Sequence, residues 1–317
     1  MRRRPVYFTN TEVSRLLRVT DSIRLARTAY VKLARHEAIS PERLILSVPG
    51  KSSFFLMPAH VLGRKTVAIK IARLKPSKSM SHLPSVLATL HVYDSITGVE
   101  IARMEAEELT AIRTAASSAV ATDLLAPKNC DTLGIIGTGK QARAHIPAIL
   151  RVRSFANIIV YSRNKTHRRR FAKDTHQKYQ IPVRTADFPE EAVSSSQVLV
   201  LATNAQTPLF KGELVEPGTH INAIGSALPT AREIDTSLVA RSFVVVDSIP
   251  QAISTYGDIM IPIKQRKITK RDLNELGSLL THPTMLLRRK VISLFKSGGL
   301  AALDAVFADY IVSRLPS

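Results

Sequence analysis

A glycine-rich turn is the stretch of the chain whose residue types and spacing point most directly to a ligand. It fits the pattern G-x-G-x-x-G/A and consists of Gly137, Thr138, Gly139, Lys140, Gln141 and Ala142. In this pattern the first glycine permits a tight turn, the second lets the backbone approach a pyrophosphate, and a small third residue lets the helix pack close to its strand. The free N–H groups at the start of that helix bind the phosphates. The turn therefore predicts a dinucleotide site, and the alternative is an ordinary turn of an α/β domain.

The residues at the end of the next predicted strand bear on which dinucleotide binds. NAD sites commonly place an Asp or Glu there, which binds the ribose 2′-hydroxyl. This chain instead has Ser162, Arg163, Asn164 and Lys165. A guanidinium pairs with a 2′-phosphate, which a carboxylate would repel. We expect NADP(H) to be preferred and NAD(H) to be possible, with Ser162, Arg163 and Asn164 in the site. The alternative is that Arg163 is one more cation of a basic surface.

The elements from residue 127 onwards predict the sheet that positions this turn. Short apolar strands are expected at 132–136, 157–161, 183–185, 197–202, 220–224 and 243–247. A helix is expected at 141–151, and a basic helix after residue 161. Strands that alternate with helices indicate a parallel sheet with helices on both faces. Thr203, Asn204 and Gly225, which follow two of these strands, complete the predicted cofactor-binding set.

The residues before 127 mix helix and strand signals. One helix is predicted over 11–34, where apolar residues recur at helical spacing, and an Ala-rich helix over 110–125. Strands are predicted over 43–57, 66–73, 85–93 and 99–105, with a turn at 94–98. The tail carries a strand-like stretch at 291–295 and a long helix. We therefore predict an α+β substrate and dimerisation domain over 1–126, completed by 292–317, and a Rossmann-type, doubly wound dinucleotide domain over 127–291.

Composition narrows the class of protein. The chain has 317 residues, a hydrophobic fraction of 45% and a single cysteine, which argue against a disordered chain, a disulfide scaffold and a Cys-rich zinc site. The sequence has no uninterrupted run of about 18 apolar residues, so no membrane span is predicted and a cytoplasmic protein is expected. The net charge of +20 is spread over several regions and aromatic residues are few, so a basic surface that attracts small anions is favoured over nucleic-acid binding. The nine histidines show no metal spacing; His145 is expected on a helix surface and His220 in a structural role.

Several stretches resemble the ornithine cyclodeaminase/μ-crystallin family, in the same order and spacing from residue 5 to residue 312. They are Met57-Pro-Ala, Leu109-Thr-Ala-Ile-Arg-Thr-Ala-Ala116, Gly134-Ile-Ile-Gly-Thr-Gly-Lys-Gln-Ala-Arg143, His220-Ile-Asn-Ala-Ile-Gly225 with Arg232-Glu233, Asn274-Glu-Leu-Gly277 and Phe295-Lys-Ser-Gly-Gly299. The Thr-x-x-Arg-Thr-Ala-Ala and Ile-Asn-Ala-x-Gly stretches are far more specific than the glycine motif. The resemblance implies an α/β dinucleotide domain set between two parts of a substrate domain, and a homodimer formed through the strands of the N-terminal part.

The resemblance also implies three substrate-binding residues. Arg43, Lys70 and Arg113 match the family arginine that reaches the substrate, its active-site lysine and the arginine of the Arg-Thr-Ala-Ala motif. Arginine grips a planar carboxylate with two parallel bonds and lysine adds a point charge, so the set suits a small amino or imino acid. A lysine in a buried pocket near other cations has a lowered pKa and can move a proton. Lys65 is a rival with worse spacing, and the alternative for Lys70 is the solvent face of a strand.

One departure from the family pattern bears on the reaction. Cyclodeaminases carry an aspartate two residues after the Ile-Asn-Ala-x-Gly motif, where this chain has Ala227. Relatives that resemble mammalian μ-crystallin, a ketimine reductase, also lack an acid there, and Asp235 and Asp247 are too displaced to replace it. We predict an NAD(P)H-dependent reductase of a C=N bond next to a carboxylate, in a cyclic ketimine or in a 2-oxo acid combined with an amine. The alternatives are a cyclodeaminase-type lyase with bound NAD and a non-catalytic NADP-dependent small-ligand binder.

Overall fold

The computed structural model of the chain describes residues 4–49, 52–74, 86–282 and 291–314. The chain forms two compact units: unit 1 comprises Met1–Arg113 and Gly299–Ser317, and unit 2 comprises Thr114–Gly298. The predicted domain boundaries, 1–126 with 292–317 and 127–291, stay a prediction. Residues 1–3, 50–51, 75–85, 283–290 and 315–317, which the sequence predictions include, lie outside the described residues.

Unit 1 is built on a seven-stranded sheet. Its strands are β1 (Val6–Phe8), β2 (Ala38–Ile39), β3 (Leu44–Ser47), β4 (Ser53–Val61), β5 (Thr66–Leu74), β6 (Val86–Asp94) and β7 (Glu100–Glu105). They lie in the order β1-β7-β6-β5-β4-β2, and β3 pairs with the first half of β4. Every pair is antiparallel except β1 with β7. The predicted turn at 94–98 joins β6 to β7, where the Asp94 carboxylate accepts hydrogen bonds from the N–H and the hydroxyl of Thr97 at 2.8 Å each.

The single strand predicted over 43–57 is wrong, because this stretch forms a hairpin. The chain turns back between β3 and β4, so that Leu44 pairs with Leu56. Pro49 interrupts the apolar run between the two strands, and a proline cannot donate a ladder hydrogen bond. Arg43 therefore immediately precedes a short strand that pairs with β4, rather than beginning the strand that contains Met57-Pro-Ala.

Helices cover one face of this sheet. They are α1 (Asn10–Leu16), α2 (Val19–Ala34) and α11 (Ala301–Val312), while α3 (Glu107–Leu125) begins in unit 1. The single helix predicted over 11–34 is thus two helices, because the backbone of Leu17 is not helical. The C-terminal helix α11 packs against α2, β4 and β5. The end of the chain therefore completes the core of unit 1.

Side chains of β5 alternate between the covered face of the sheet and the opposite face. Ala68 and Lys70 are buried, whereas Ile71 is exposed. The large apolar side chains that strands β2 to β6 leave exposed are Ile39, Leu44, Ile45, Leu46, Ile71 and Leu87. Unit 1 therefore carries apolar surface that its own described helices do not cover.

Unit 2 contains an eight-stranded sheet whose pairs are all parallel. Its strands are β8 (Thr132–Ile136), β9 (Asn157–Tyr161), β10 (Val183–Thr185), β11 (Val198–Leu201), β12 (His220–Ala223), β13 (Ser242–Val246), β14 (Leu273–Glu275) and β15 (Ile292–Lys296). The order is β10-β9-β8-β11-β12-β15-β13-β14, so the first five strands follow the doubly wound pattern with its reversal between β8 and β11. The predicted parallel sheet is confirmed. In such sheets ligands bind beyond the carboxyl ends of the strands at the reversal.

The helices of unit 2 pack on both faces of this sheet. They are α4 (Lys140–Leu150), α5 (Lys165–Tyr179), α6 (Pro189–Ser194), α7 (Thr236–Ala240), α8 (Ile249–Thr255), α9 (Gly257–Lys264) and α10 (Leu276–Thr281). Val198 and Val200 of β11 join the core that contains Ile146 of α4, while Leu199 and Leu201 join the core that contains Leu238 of α7. Because both faces are buried, the strands are continuous apolar runs rather than alternating ones.

Two features are missing from the described residues. None of their helices is both long and apolar enough to cross a membrane. They also contain no cluster of three or more His, Cys, Asp or Glu side chains that could hold a metal ion.

Candidate active site

The glycine-rich turn joins β8 to α4 at the carboxyl end of the parallel sheet. Gly137 has a φ of +113°, and a Cβ there would lie 2.3 Å from the carbonyl oxygen of Ala202, so only glycine fits. Gly139 caps α4 without a side-chain bond, and no atom lies within 4 Å of where its Cβ would stand. Ala142 is buried where α4 packs against the sheet. The clearance at Gly139 and the N–H groups at the start of α4 fit a pyrophosphate.

Residues 162–165, which follow β9, border the glycine-rich turn and form what we call its rim. The hydroxyl of Thr138 donates to Ser162 Oγ at 3.4 Å, which in turn donates to the carbonyl oxygen of Asn164 at 3.3 Å. The side-chain oxygen of Asn164 caps α5 by accepting from the N–H of His167 at 2.9 Å. Arg163 is exposed and has no hydrogen bond or ion pair within the described part of the chain. Arg163 is therefore the rim cation whose guanidinium is available to a ligand.

The loops after β11 and β12 are tied together by one buried carboxylate. Glu233 accepts hydrogen bonds from the N–H and the hydroxyl of Thr203 and from the N–H of Gly225, each at 2.8 Å. Burial raises the pKa of Glu233, opposed chiefly by the charge of Lys296. A Cβ on Gly225 would lie 2.2 Å from the carbonyl oxygen of Thr203, so the two loops touch through their backbones. Thr203, Asn204 and Gly225 thus lie at the same edge of the sheet as the glycine turn.

A buried ion pair contacts the backbone of the loop that follows β12. Lys296 at the end of β15 lies 2.8 Å from Asp258 of α9, and both side chains are fully buried. Asp258 also accepts from the N–H groups of Glu233 and Ile234, at 2.8 and 3.1 Å, and Lys296 donates to the carbonyl oxygen of Ser226. Sequence analysis did not single out this network. A signal was present for Asp258 and Lys296, because each adjoins a mainly apolar stretch and a buried charge requires a partner.

The predicted substrate residues lie together in unit 1. Lys70 is on the covered face of β5, 2.6 Å from Asp304 of α11, and Arg113 of α3 places its Nε 3.4 Å from the same carboxylate. All three side chains are at most 4% exposed, which excludes the solvent face for Lys70. The guanidinium of Arg43 donates to the carbonyl oxygen of Gly299 at 3.2 Å and lies over the ring of Phe55. The structure therefore brings three cations and one carboxylate into one cluster.

The charge state of Lys70 depends on its surroundings. Burial lowers the pKa of Lys70 to about 8, Asp304 opposes that shift, and Arg113 and Arg43 reinforce it. A lysine with this pKa is a proton donor near neutral pH. Sequence analysis missed Asp304, although a single acid within the apolar first half of α11 indicates a buried partner.

Gly299 brings the backbone against the Arg113 side chain. Its φ is +86°, and a Cβ there would lie 2.1 Å from Nη1 of Arg113 and 2.4 Å from Nη2. The same residue accepts the hydrogen bond from Arg43 through its carbonyl oxygen. Gly299 therefore fixes the position of one arginine and receives a bond from another.

The prediction that His145 lies on a helix surface is wrong. Its side chain is fully buried, because the face of α4 that carries it packs against Ser118 of α3. The ring bonds to Ser118 Oγ at 2.9 Å and to the carbonyl oxygen of Gln141 at 2.8 Å, and burial lowers its pKa to about 4. His220 is also buried and bonds to Ser293 Oγ at 2.9 Å, in agreement with a structural role.

The acids near Ala227 in the sequence are engaged elsewhere. Asp235 caps α7 by accepting from Leu238 N and also accepts from Gly212 N, each at 2.8 Å. Asp247 accepts from the hydroxyls of Tyr256 and Ser297, at 2.9 and 2.7 Å. Neither carboxylate is free to replace the missing acid at position 227.

Comparison with known proteins identifies the family of the chain. The model of the ornithine cyclodeaminase/mu-crystallin family matches residues 4–317. The chain belongs to this family. Relatives include a Delta(1)-pyrroline-2-carboxylate reductase of Bacillus cereus, 32% identical over 96% of this chain and 94% of the relative. The ketimine reductase mu-crystallin of Rattus norvegicus is 30% identical over 98% of this chain and 97% of its own length.

Solved structures of related enzymes have the same fold. A Thermococcus litoralis Delta(1)-pyrroline-2-carboxylate reductase in complex with NADH and L-proline is 33% identical, with a TM-score of 0.93 over 97% of this chain and 96% of its own. An archaeal alanine dehydrogenase dimer with bound NAD is 28% identical, with a TM-score of 0.90 over 99% of this chain and 98% of its own. The fold class predicted from the sequence is confirmed.

Proposed function

We propose that this member of the ornithine cyclodeaminase/mu-crystallin family is an NAD(P)H-dependent reductase of a C=N bond next to a carboxylate. The favoured substrate is a cyclic ketimine such as Δ1-pyrroline-2-carboxylate, and an imine formed from a 2-oxo acid and an amine is the other candidate. The observation that carries the proposal is the cluster formed by the buried Lys70 and Arg113 and the half-buried Arg43. The reductase relatives from Bacillus cereus and Thermococcus litoralis support it.

The cluster suits a small imino acid. The two guanidinium groups are planar forks that bind a carboxylate through parallel hydrogen bonds. Lys70 provides the proton that the imine nitrogen needs when the C=N bond is reduced. When bound, the reduced nicotinamide supplies the hydride to the carbon that bears the carboxylate.

The residues of unit 2 suit the phosphates of a dinucleotide. The N–H groups at the start of α4 hold the pyrophosphate above Gly139, while Thr203, Asn204 and Gly225 border the same edge of the sheet. Arg163 favours NADP(H) over NAD(H), because its guanidinium has no other partner in the described residues and residues 162–165 include no carboxylate that would repel a 2′-phosphate. Both related structures contain NADH or NAD, which keeps NAD(H) as the alternative cofactor.

A homodimer is the assembly that we expect. The apolar side chains left exposed on the sheet of unit 1, Leu44, Leu46, Ile71 and Leu87 among them, are the kind of surface that a second copy buries. The archaeal alanine dehydrogenase relative is a dimer. A cytoplasmic location stays a prediction.

Parallel assays with two substrates test this function. Δ1-Pyrroline-2-carboxylate should be reduced to proline with one NADPH consumed for each molecule of product. Ornithine should give no proline at a useful rate, because Ala227 provides no acid to act at the amine carbon and Asp235 and Asp247 are engaged elsewhere. Efficient formation of proline and ammonia from ornithine, without net consumption of cofactor, would restore the lyase. Tight NADPH binding without turnover of any imino acid in a panel would favour the non-catalytic binder.

A further inference from the structure

A carboxylate that no part of the proposed function yet uses lies at the centre of the cationic cluster. Asp304 is 1% exposed, and its two oxygens face different cations: Oδ2 lies 2.6 Å from Lys70 Nζ, and Oδ1 lies 3.4 Å from Arg113 Nε. Asp304 comes from α11, whereas Lys70 and Arg113 come from β5 and α3. The C-terminal helix therefore delivers a negative charge that these two cations share.

We propose that Asp304 is a positioning residue for the reduction, which keeps Lys70 protonated in the pocket and aligns Arg113 for the substrate carboxylate. The expected effect on the reaction rests on the proposed function. The pairing of Asp304 with Lys70 and Arg113 does not depend on that function. Asp304 acts through Lys70 and Arg113 rather than on the substrate.

The proton balance of the step shows why a carboxylate is needed here. As the π bond of C=N breaks, hydride from the reduced nicotinamide forms the new C–H bond and the proton of Lys70 forms the new N–H bond. The imine is reduced, the nicotinamide is oxidised, and neutral Lys70 regains its proton from water. A lysine buried beside two arginines would be mostly neutral near pH 7 without a counter-ion, since buried lysines have pKa values down to about 5–6. Asp304 therefore makes the proton available.

The charges that act on Lys70 come from the elements around it. Asp304 of α11 raises the pKa of the lysine, whereas Arg113 of α3 and Arg43 before β3 lower it, and burial is the largest cause of its fall to about 8. Loss of the Asp304 charge leaves only lowering influences. An opposite charge at this distance shifts a pKa by about 1–3 units, so Asp304→Asn should move the Lys70 pKa below about 7.

The pH dependence of the reaction is the first test. For Asp304→Asn we expect the alkaline fall of kcat/KM to move down by at least about one pH unit. A one-unit shift corresponds to a loss of about fivefold at pH 8 and less than about twofold at pH 6. Asp309→Asn is the matched control, because Asp309 lies on the same helix but bonds Arg64 and Thr66 instead. The control should keep the wild-type profile. A purely structural role for Asp304 would lower the unfolding temperature and leave the alkaline limb in place, which would overturn the proposal.

Direct titration of Lys70 is the second test, and it requires no turnover. In protein labelled with 13C at lysine Cε, the resonance that disappears in Lys70→Met should titrate near pH 8 in the otherwise unmodified chain. A midpoint near 5–6, roughly that of a buried lysine with no counter-ion, would show that Asp304 does not act on it and would overturn the proposal. If no imino acid were reduced while Lys70 titrated near 8 and shifted downward in Asp304→Asn, the proposed function alone would fail.

Discussion

Gly299→Ala is the most specific perturbation of the substrate cluster that the geometry offers. The added methyl group would lie 2.1 Å from Nη1, 2.4 Å from Nη2 and 2.6 Å from Cζ of Arg113, so the guanidinium must move. The positive φ adds a backbone strain of about 1–3 kcal/mol, and overpacking adds about 1–3 kcal/mol if the side chain cannot escape. The substitution removes no charged group. It therefore tests the position of Arg113 rather than its presence.

The expected result is a selective loss of substrate binding. A displaced guanidinium forfeits a charge-assisted bond worth about 1.5–3 kcal/mol, which corresponds to about a 10- to 150-fold rise in the KM for the imino acid. The dissociation constant for NADPH, measured by fluorescence, should change by less than about twofold, because unit 2 contains the glycine turn. Arg113→Ala should produce a rise of similar size, and the double variant should be no worse than either single one, because both changes remove the same interaction.

Gly98→Ala is the control for backbone strain. Gly98 also has a positive φ, +70°, but nothing lies within 4 Å of its prospective Cβ. Both variants should lose stability through the strained backbone, whereas only Gly299→Ala should raise the KM. An unchanged KM in Gly299→Ala, or an equal rise in Gly98→Ala, would refute the placement of Arg113 in the carboxylate site.

Two further predictions concern unit 2. Arg163→Ala should weaken NADPH binding by at least about tenfold, or about 1.4 kcal/mol, with little change in NADH binding. The preference of the unmodified protein for NADPH should shrink as the salt concentration rises. Equal use of both cofactors by the unmodified protein would show that Arg163 is only one more cation of the basic surface. Lys296→Met leaves Asp258 buried without its cation and should cost about 3–5 kcal/mol of unfolding free energy in urea titrations. Replacement of the exposed Lys264 by Met should cost less than about 0.5 kcal/mol, and a similar value for Lys296→Met would show that the buried pair does not support the loops.

Most strands of unit 2 were predictable because they are short runs closed by turn residues, whereas β14 was not predicted because Asn274 and Glu275 make it largely polar. The sequence places β8, β9 and β10 at their observed bounds. The hairpin of β3 and β4 was not recognised, because both strands are apolar and read as one run despite Pro49 and Gly50 between them. Gly50 itself lies outside the described residues. Local pattern therefore fixed the strands best where each one is bounded by its own turn.

The charged residues of the substrate cluster were predictable only in part. Lys70 and Arg113 were found through their motifs, but the partner that they share, Asp304, lies far along the chain and is brought to them by the packing of α11 on β5. The burial of His145 likewise depends on a different helix, α3, covering that face of α4. Pairings of this kind arise from tertiary contacts, which local periodicity does not specify.

Transfer of deuterium from labelled cofactor tests the central claim most directly. The protein would be incubated with Δ1-pyrroline-2-carboxylate and NADPH carrying deuterium at both C4 positions, and the product would be analysed by NMR and mass spectrometry. We predict proline with a single deuterium on the carbon that bears the carboxylate, formed in equal amount to the oxidised cofactor. Proline without deuterium at that carbon, or oxidation of the cofactor without proline, would contradict the assignment of the chain as an imino acid reductase.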